Sequence, residues 1–269
     1  MISFIKKYYL DAYIHLSICT SALTGFSFYA LSIDIDWSYI AFVGIATFLL
    51  YNYHELLTYS QYEWKKWLST NAVVLPAILV LGCVPLILGL IKTIWLPLTL
   101  ATIGCLLYFV PIMKKNNRTF RDLTWMKIFL IGFVFSMITV IIPVFHATYS
   151  WYEIILLALS KLLFISVLAL SFDIGDMLTD EDQKTMTLPN VLGIKKAKWI
   201  GTFLLFCASM IEIYLANIFI LEFPALVIMM ITYFLSWIVL WQSSNSKSKY
   251  FYLFVVDGLI GLPFLLSFL

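Results

Sequence analysis

The chain has 269 residues, of which 62% are hydrophobic and only 12% are charged, and its mean hydropathy is +0.97. Soluble domains carry about 25% charged residues, so this composition excludes a water-soluble domain. Its 17% aromatic content excludes a disordered chain, and a net charge of +2 is too small to attract a nucleic acid. The sequence therefore predicts an integral protein of the cell (inner) membrane, with no nucleic-acid partner.

Apolar runs follow one another along the whole sequence, separated by short polar loops. Each run is close to the length of about 20 residues that a helix needs to cross a bilayer. Helices are expected because a helix satisfies its own backbone groups, and no run alternates polar and apolar residues as barrel strands do. The nine predicted spans are 10–32, 38–59, 71–91, 94–113, 126–146, 151–172, 199–220, 223–242 and 250–269.

The basic residues predict the orientation of these spans. Fifteen of the seventeen Lys and Arg residues precede the first span or follow the second, fourth, sixth and eighth spans. Basic loops stay in the cytoplasm, so the N-terminus is expected inside and the C-terminus outside. The chain is predicted to form one all-α polytopic domain over 1–269, with parallel pseudo-repeats at roughly 1–120 and 121–245 and a ninth helix at 250–269. The repeats would surround a central cavity that opens to the cytoplasm.

The segment 171–182, at the end of the sixth span, concentrates acidic residues. At about 100° per residue, Asp173, Asp176 and Asp180 fall within about 60° of one helical face. Carboxylates this close repel one another, and several hard oxygen ligands suit Mg²⁺, which also binds substrate phosphates. A plainer interpretation stays open, in which an acidic loop ends the helix and meets nearby lysines.

The residues that follow this cluster complete a recognisable pattern. Lys184 comes first, then a Thr-Leu-Pro sequence that ends at Pro189, then Gly193 and a basic patch at 195–198. The pattern resembles the second acidic motif of the UbiA superfamily of intramembrane prenyltransferases. The resemblance implies nine transmembrane helices, acidic motifs after helices two and six, and transfer of an isoprenyl group from its diphosphate to an aromatic or related acceptor.

The resemblance also implies roles for individual residues of the second motif. Asp173, Asp176 and Asp180 match the aspartates that hold Mg²⁺ on the diphosphate. Lys184 matches the lysine that contacts the diphosphate oxygens.

The first motif, at the end of the second span, departs from the family pattern Asn-x-x-x-Asp-x-x-x-Asp. Asn52 matches, but Leu56 and Ser60 stand where the family has aspartates. Glu55 and Glu63 lie about 60° and about 20° from Asn52 around the helix, so they could supply carboxylates on a similar stripe. We assign Asn52 to catalysis and metal binding and Glu55 to diphosphate binding. Alternatively, both glutamates only pair with neighbouring groups.

A basic segment at 114–121 follows the fourth span and resembles the family's Tyr-Pro-x-x-Lys-Arg stretch. Lys114 and Arg118, with Lys127 at the start of the fifth span, are expected to neutralise the diphosphate. Topology alone is an alternative explanation, because cytoplasmic loops are basic without any substrate.

Lys161, Glu212 and Asp257 carry acidic or basic groups in the middle part of predicted spans, where charge is costly. We expect Lys161 to pair with Glu212 or Asp257 and so to lock the bundle. A role of these residues in acceptor binding is the alternative.

The sequence therefore predicts a Mg²⁺-dependent prenyltransferase that acts on a prenyl diphosphate and a lipophilic acceptor within the lipid bilayer. The altered first motif leaves a second hypothesis open, a non-catalytic UbiA-like membrane subunit that binds a lipid or protein partner. Parallel repeats and intramembrane charges leave a small-molecule transporter as a third. A homo-oligomer is compatible with all three.

Overall fold

The computed structural model of the chain describes residues 9–58, 98–105, 107–108, 123–145, 149–178, 186–218 and 220–269. Within these residues every regular element is a helix, as predicted. Besides a helical stretch at 98–105, the helices are α1 (Ile14–Ala30), α2 (Trp37–Thr58), α3 (Met126–Val144), α4 (Trp151–Gly175), α5 (Leu188–Leu192), α6 (Ile194–Asn217), α7 (Phe223–Gln242) and α8 (Lys249–Leu266).

Five helices of the described part are long and apolar enough to cross a membrane, namely α3, α4, α6, α7 and α8. Helix α1 has 17 residues and α2 has 22. The predicted span at 71–91 and much of that at 94–113 lie outside the described residues. The chain is thus an all-helical, multi-pass membrane protein, and the count of nine spans stays a prediction.

Local sequence signals set the helix boundaries. At the start of α4, the Ser150 hydroxyl accepts a hydrogen bond from the Glu153 backbone N–H at 3.4 Å, and the Glu153 carboxylate accepts one from the Ser150 N–H at 2.8 Å. This capping box satisfies backbone donors that the first turn leaves unpaired. Between α5 and α6, Gly193 has a φ of 83°, which a residue with a side chain rarely adopts.

Helix α6 begins at Ile194, five residues before its predicted start at 199, although its first turns are basic. The Lys198 ammonium donates to the Trp241 carbonyl on α7 at 2.7 Å, so its stem lies along the apolar helix while its charge is satisfied. Helix α4 likewise continues past its predicted end at 172, to Gly175. Asp173 therefore belongs to the helix and not to a loop.

Small residues allow the helices to approach closely. A Cβ on Gly132 of α3 would lie 2.6 Å from the Leu162 carbonyl oxygen of α4, and one on Gly261 of α8 would lie 3.0 Å from the Cys19 Cα of α1. Glycine is favoured at such crossings in membranes, because tight backbone packing stabilises helix association there. Helix α4 packs against α3, α6 and α7, while α1 packs against α2 and α8.

A buried polar network connects α4, α6 and α7. The Lys161 ammonium lies 2.5 Å from the Glu212 carboxylate, which also accepts hydrogen bonds from the Ser160 hydroxyl at 2.8 Å and the Tyr233 hydroxyl at 3.0 Å. Lys161 is 2% exposed and Glu212 is 0% exposed. Of the two predicted partners of Lys161, the structure selects Glu212 and leaves Asp257 elsewhere.

Candidate functional site

A cavity of about 440 Å³ lies among α1, α2, α3, α4, α8 and the helical stretch at 98–105. Its volume is in the range of pockets that enclose small molecules. The described residues that line it are Tyr13, Leu16, Leu50, Tyr51, Cys105, Tyr108, Lys127, Leu130, Ile131, Val134, Phe135, Ile165, Leu168, Ala169, Phe172, Asp173, Asp176, Lys249, Tyr252, Leu253, Asp257 and Ile260.

Three helix ends meet at what we call the polar end of the cavity, defined by Asp173, Asp176, Lys127 and Lys249. Asp173 lies in the last turn of α4, and Asp176 directly follows that helix. Lys127 is the second residue of α3, and Lys249 is the first of α8. Because α4 ends where α3 and α8 begin, the fold brings four charged side chains to one end of an otherwise largely apolar cavity.

An ion pair orders part of the polar end. The Lys127 Nζ lies 2.7 Å from the Asp173 Oδ1, and the side chains are 16% and 1% exposed. Lys249 pairs with the exposed Asp11 at 3.0 Å. Exposed pairs of that kind contribute little to stability, whereas a buried carboxylate such as Asp173 needs a cation beside it.

The position of the two aspartates is electrostatically unfavourable for α4 itself. The C-terminal end of a helix carries a partial negative charge, so acidic residues there destabilise the helix. Asp173 and Asp176 both stand at this end. Within the described residues, the Lys127 ammonium beside Asp173 offsets part of this cost.

Apolar side chains from facing helices form the rest of the described wall. On α3 they recur at Leu130, Ile131, Val134 and Phe135, which is one helical face. On α4 the facing residues are Ile165, Leu168 and Ala169. Such a wall accepts a hydrocarbon and excludes water.

Aromatic rings lie between the apolar wall and the polar end. Phe172 of α4 and Tyr252 of α8 pack with ring centroids 5.6 Å apart. The Tyr252 hydroxyl donates to the Ser244 carbonyl at 2.7 Å and accepts from the Ser244 N–H at 3.0 Å, which fixes the ring. Tyr13 of α1 and Tyr51 of α2 form a second ring pair on the cavity wall, with centroids 5.4 Å apart.

Of the predicted site residues, the structure brings Asp173, Asp176 and Lys127 together on the cavity wall. Asn52 is 8% exposed and does not belong to the described lining. Its Nδ2 donates to the Ala12 carbonyl at 3.1 Å and to the Phe48 carbonyl at 2.8 Å. Its predicted roles in catalysis and metal binding stay a prediction.

The other predicted site residues fall outside what the structure describes. They are Asp180, Lys114, Arg118, Lys184 and the side chain of Glu55. Their predicted roles at the metal and the diphosphate stay predictions.

The donor set of the polar end fits Mg²⁺. Among the described residues no three His, Cys, Asp or Glu side chains lie close enough to enclose a metal. Asp173 and Asp176 offer two carboxylates, and Mg²⁺ in proteins is held by one or two carboxylates together with substrate phosphates and water. These two carboxylates would thus be sufficient for a metal ion whose remaining ligands come from a phosphate-bearing substrate and water.

Sequence reasoning did not identify Lys249 and Tyr252 as candidate site residues. A signal was present on α8, because Lys249, Tyr252, Leu253, Asp257 and Ile260 recur every three or four residues and so share one face. That face carries a charge, a phenol and a carboxylate in an otherwise apolar helix. A polar stripe of this kind indicates a cavity wall.

No family model and no curated protein matches the chain. Among solved structures, a digeranylgeranylglyceryl phosphate synthase, a UbiA-superfamily intramembrane prenyltransferase, matches with a TM-score of 0.57 and 19% sequence identity, over 95% of this chain and 96% of that one. An identity this low carries the fold alone. The chain therefore shares the fold of this solved protein along almost its whole length, and the resemblance seen in its sequence is confirmed at the level of the fold only.

Proposed function

We propose that this protein is a Mg²⁺-dependent intramembrane prenyltransferase, which moves an isoprenyl group from a prenyl diphosphate to an aromatic or other small lipophilic acceptor. One observation carries the proposal: a single cavity joins a charged end, with Asp173, Asp176 and Lys127, to a long apolar wall. A prenyl diphosphate has the same division between a charged head and a hydrocarbon tail. The shared fold with a prenyltransferase supports the proposal.

The polar end would bind the diphosphate. Asp173 and Asp176 would hold Mg²⁺, with Asp180 and Asn52 as further predicted ligands. When bound, the metal neutralises negative charge on the departing diphosphate. Lys127 would donate hydrogen bonds to diphosphate oxygens, which form strong charge-assisted contacts with ammonium groups. Lys114, Arg118, Lys184 and Glu55 are predicted to complete this diphosphate site.

The apolar wall would hold the prenyl chain and keep water away from the reacting carbon. When the carbon–oxygen bond to the diphosphate breaks, the allylic carbon becomes electron-poor, and water would capture it in competition with the acceptor. Phe172 and Tyr252 lie next to the polar end, where their ring faces could stabilise that positive charge by cation–π contact. The acceptor would then attack from within the cavity.

The predicted orientation puts the polar end on the cytoplasmic side of the cell (inner) membrane, where a water-soluble diphosphate head arrives. The N-terminus would then be cytoplasmic and the C-terminus outside. The bilayer supplies both lipophilic substrates laterally.

The test uses the purified full chain in lipid nanodiscs, with Mg²⁺ and radiolabelled prenyl diphosphates of several lengths. We expect saturable binding that EDTA abolishes and that Asp176→Ala weakens by about a hundredfold, since one of the carboxylates that would hold the metal is lost. Glu153→Gln, at the capping box of α4 and remote from the cavity lining, is the matched carboxylate control. If the wild-type chain binds no prenyl diphosphate, the proposal is wrong and the non-catalytic alternative replaces it.

A further inference from the structure

A third carboxyl group, that of Asp257, lines the same cavity away from the polar end. It lies eight residues after Lys249 on α8. Tyr252 packs against Phe172 and Gly175 at the end of α4, so Asp257, five residues further along α8, lies deeper in the cavity. The carboxyl is therefore set into the apolar part of the cavity wall.

The surroundings of Asp257 give its carboxyl no partner among the described residues. The residue is 5% exposed, and no hydrogen bond or ion pair joins its side chain to the described part of the chain. The titratable groups that interact with it electrostatically are the Cys19 thiol of α1 and the Tyr51 phenol of α2, neither of them a cation. Lys161, which is a candidate partner of Asp257 in the sequence analysis, is paired with Glu212 instead.

A carboxyl that is 5% exposed and has no partner among the described residues is costly in an apolar setting, so packing among those residues does not explain it. The helix geometry is also irregular next to Asp257, because a π-helical segment, Tyr252–Val256, directly precedes this residue. Such segments are rare and are frequently found at functional sites, and a second one, Met137–Ile141, lies within α3.

We propose that the Asp257 carboxyl binds the acceptor substrate by accepting a hydrogen bond from its hydroxyl group. The inference rests on the proposed prenyl transfer and adds the class of acceptor to it. In either protonation state a carboxyl presents an oxygen that accepts from a hydroxyl. An acceptor whose polar group is a carboxylate or phosphate would instead bury a second acidic group beside Asp257 in the apolar part of the cavity, which is costly without a cation there. The acceptor is thus a neutral, hydroxyl-bearing lipophile.

The neighbouring side chains suit the body of such a molecule. Tyr13 and Tyr51 line the cavity from α1 and α2, and Leu253 and Ile260 flank Asp257 on α8. Aromatic and branched side chains pack well against a flat ring. With its hydroxyl held at Asp257, deeper in the cavity than the polar end, the acceptor would lie beside the first carbons of the prenyl chain.

The experiment compares two probes that differ in one hydrogen-bond donor, 1-naphthol and its methyl ether 1-methoxynaphthalene. Binding of each to the full chain in nanodiscs is measured by naphthalene fluorescence, without diphosphate. The wild-type protein is expected to bind the naphthol about tenfold more tightly than the ether, the value of one good hydrogen bond. Asp257→Leu is expected to remove this preference by weakening naphthol binding alone, while Asp257→Asn, which keeps a carbonyl acceptor, retains part of it.

Binding of geranyl diphosphate is measured on the same variants, with Glu153→Gln as the remote carboxylate control. We expect this binding to stay within about threefold in Asp257→Leu, because the diphosphate contacts remain. A preference for naphthol that persists in Asp257→Leu, or that the wild type lacks, overturns the role of Asp257. Absence of geranyl diphosphate binding in the wild type overturns prenyl transfer itself, and the naphthol result then stands separately as a hydroxyl-binding site.

Discussion

Helix α4 carries two lysine–carboxylate ion pairs, one in the interior of the bundle and one at the cavity. In the interior pair, Lys161 of α4 contacts Glu212 of α6, and both are buried. In the cavity pair, Asp173 of α4 contacts Lys127 of α3 at 2.7 Å. The two pairs use the same chemical groups twelve residues apart on one helix, so their surroundings must decide what each does.

The two ion pairs differ in the number of hydrogen-bond donors that contact the carboxylate and in whether the pair lines the cavity. Glu212 accepts from Ser160 and Tyr233 besides Lys161, and neither member of this pair belongs to the described lining of the cavity. Lys127 and Asp173 both line the cavity, next to Asp176. An ion pair enclosed by further hydrogen bonds specifies how helices pack, whereas a pair on a cavity wall can exchange partners with a ligand.

The largest effect is expected from Asp173→Asn, which keeps the shape of the side chain and removes its charge. Prenyl transfer should fall by about a thousandfold, because a metal-binding carboxylate is lost at the site of charge development. The melting temperature should change by only a few degrees. Transfer of a radiolabelled prenyl group and thermal unfolding in detergent measure the two effects. A large loss of stability with full activity would make this pair a second structural lock.

The opposite outcome is expected for Lys161→Met in the interior pair. The free energy of unfolding should fall by about 3–5 kcal/mol, because Glu212 is left buried without its counter-charge. The Kd of the folded protein for geranyl diphosphate should not change. Denaturant unfolding followed by tryptophan fluorescence gives the stability.

The double variant Lys161→Met/Glu212→Leu sharpens this comparison. Removing both charges should restore most of the lost stability, because apolar residues often replace a buried pair without net cost. A double variant no more stable than the single one would show that Ser160 and Tyr233 need the carboxylate as much as Lys161 does.

The helices and part of the candidate site could be predicted from the sequence, whereas contacts between distant helices could not. Hydropathy gives the helices, because a lipid environment leaves few other ways to satisfy the backbone. Asp173 and Asp176 could be predicted because they lie three residues apart at the end of one apolar helix, which keeps them close together in any fold. The choice of Glu212 over Asp257 for Lys161 could not, since it depends on which helices pack together. Lys249 joins the polar end only because α8 begins where α4 ends.

A smaller effect is expected from Lys127→Gln at the cavity pair. The KM for prenyl diphosphate should rise by about ten- to a hundredfold, because one charge-assisted contact is lost while the carboxylates remain. The kcat should change less than the KM. Steady-state kinetics at saturating Mg²⁺ measure both constants, with Lys249→Gln as a matched lysine on the same cavity wall. A KM equal to that of the wild type would restrict Lys127 to balancing the charge of Asp173.

The smallest effect is expected from Asn52→Leu. This variant tests whether Asn52 of α2 contributes to metal binding in addition to the aspartates at the end of α4. Its Nδ2 bridges the Ala12 carbonyl before α1 and the Phe48 carbonyl within α2, so its loss should cost about 1–3 kcal/mol of stability. If Asn52 also binds Mg²⁺ as its sequence position predicts, the Mg²⁺ concentration for half-maximal transfer rises several-fold in the folded variant. A changed stability with unchanged Mg²⁺ dependence would assign Asn52 to packing alone. The metal would then be held chiefly from the end of α4, which would explain why a chain with Leu56 and Ser60 in its first motif can keep the chemistry.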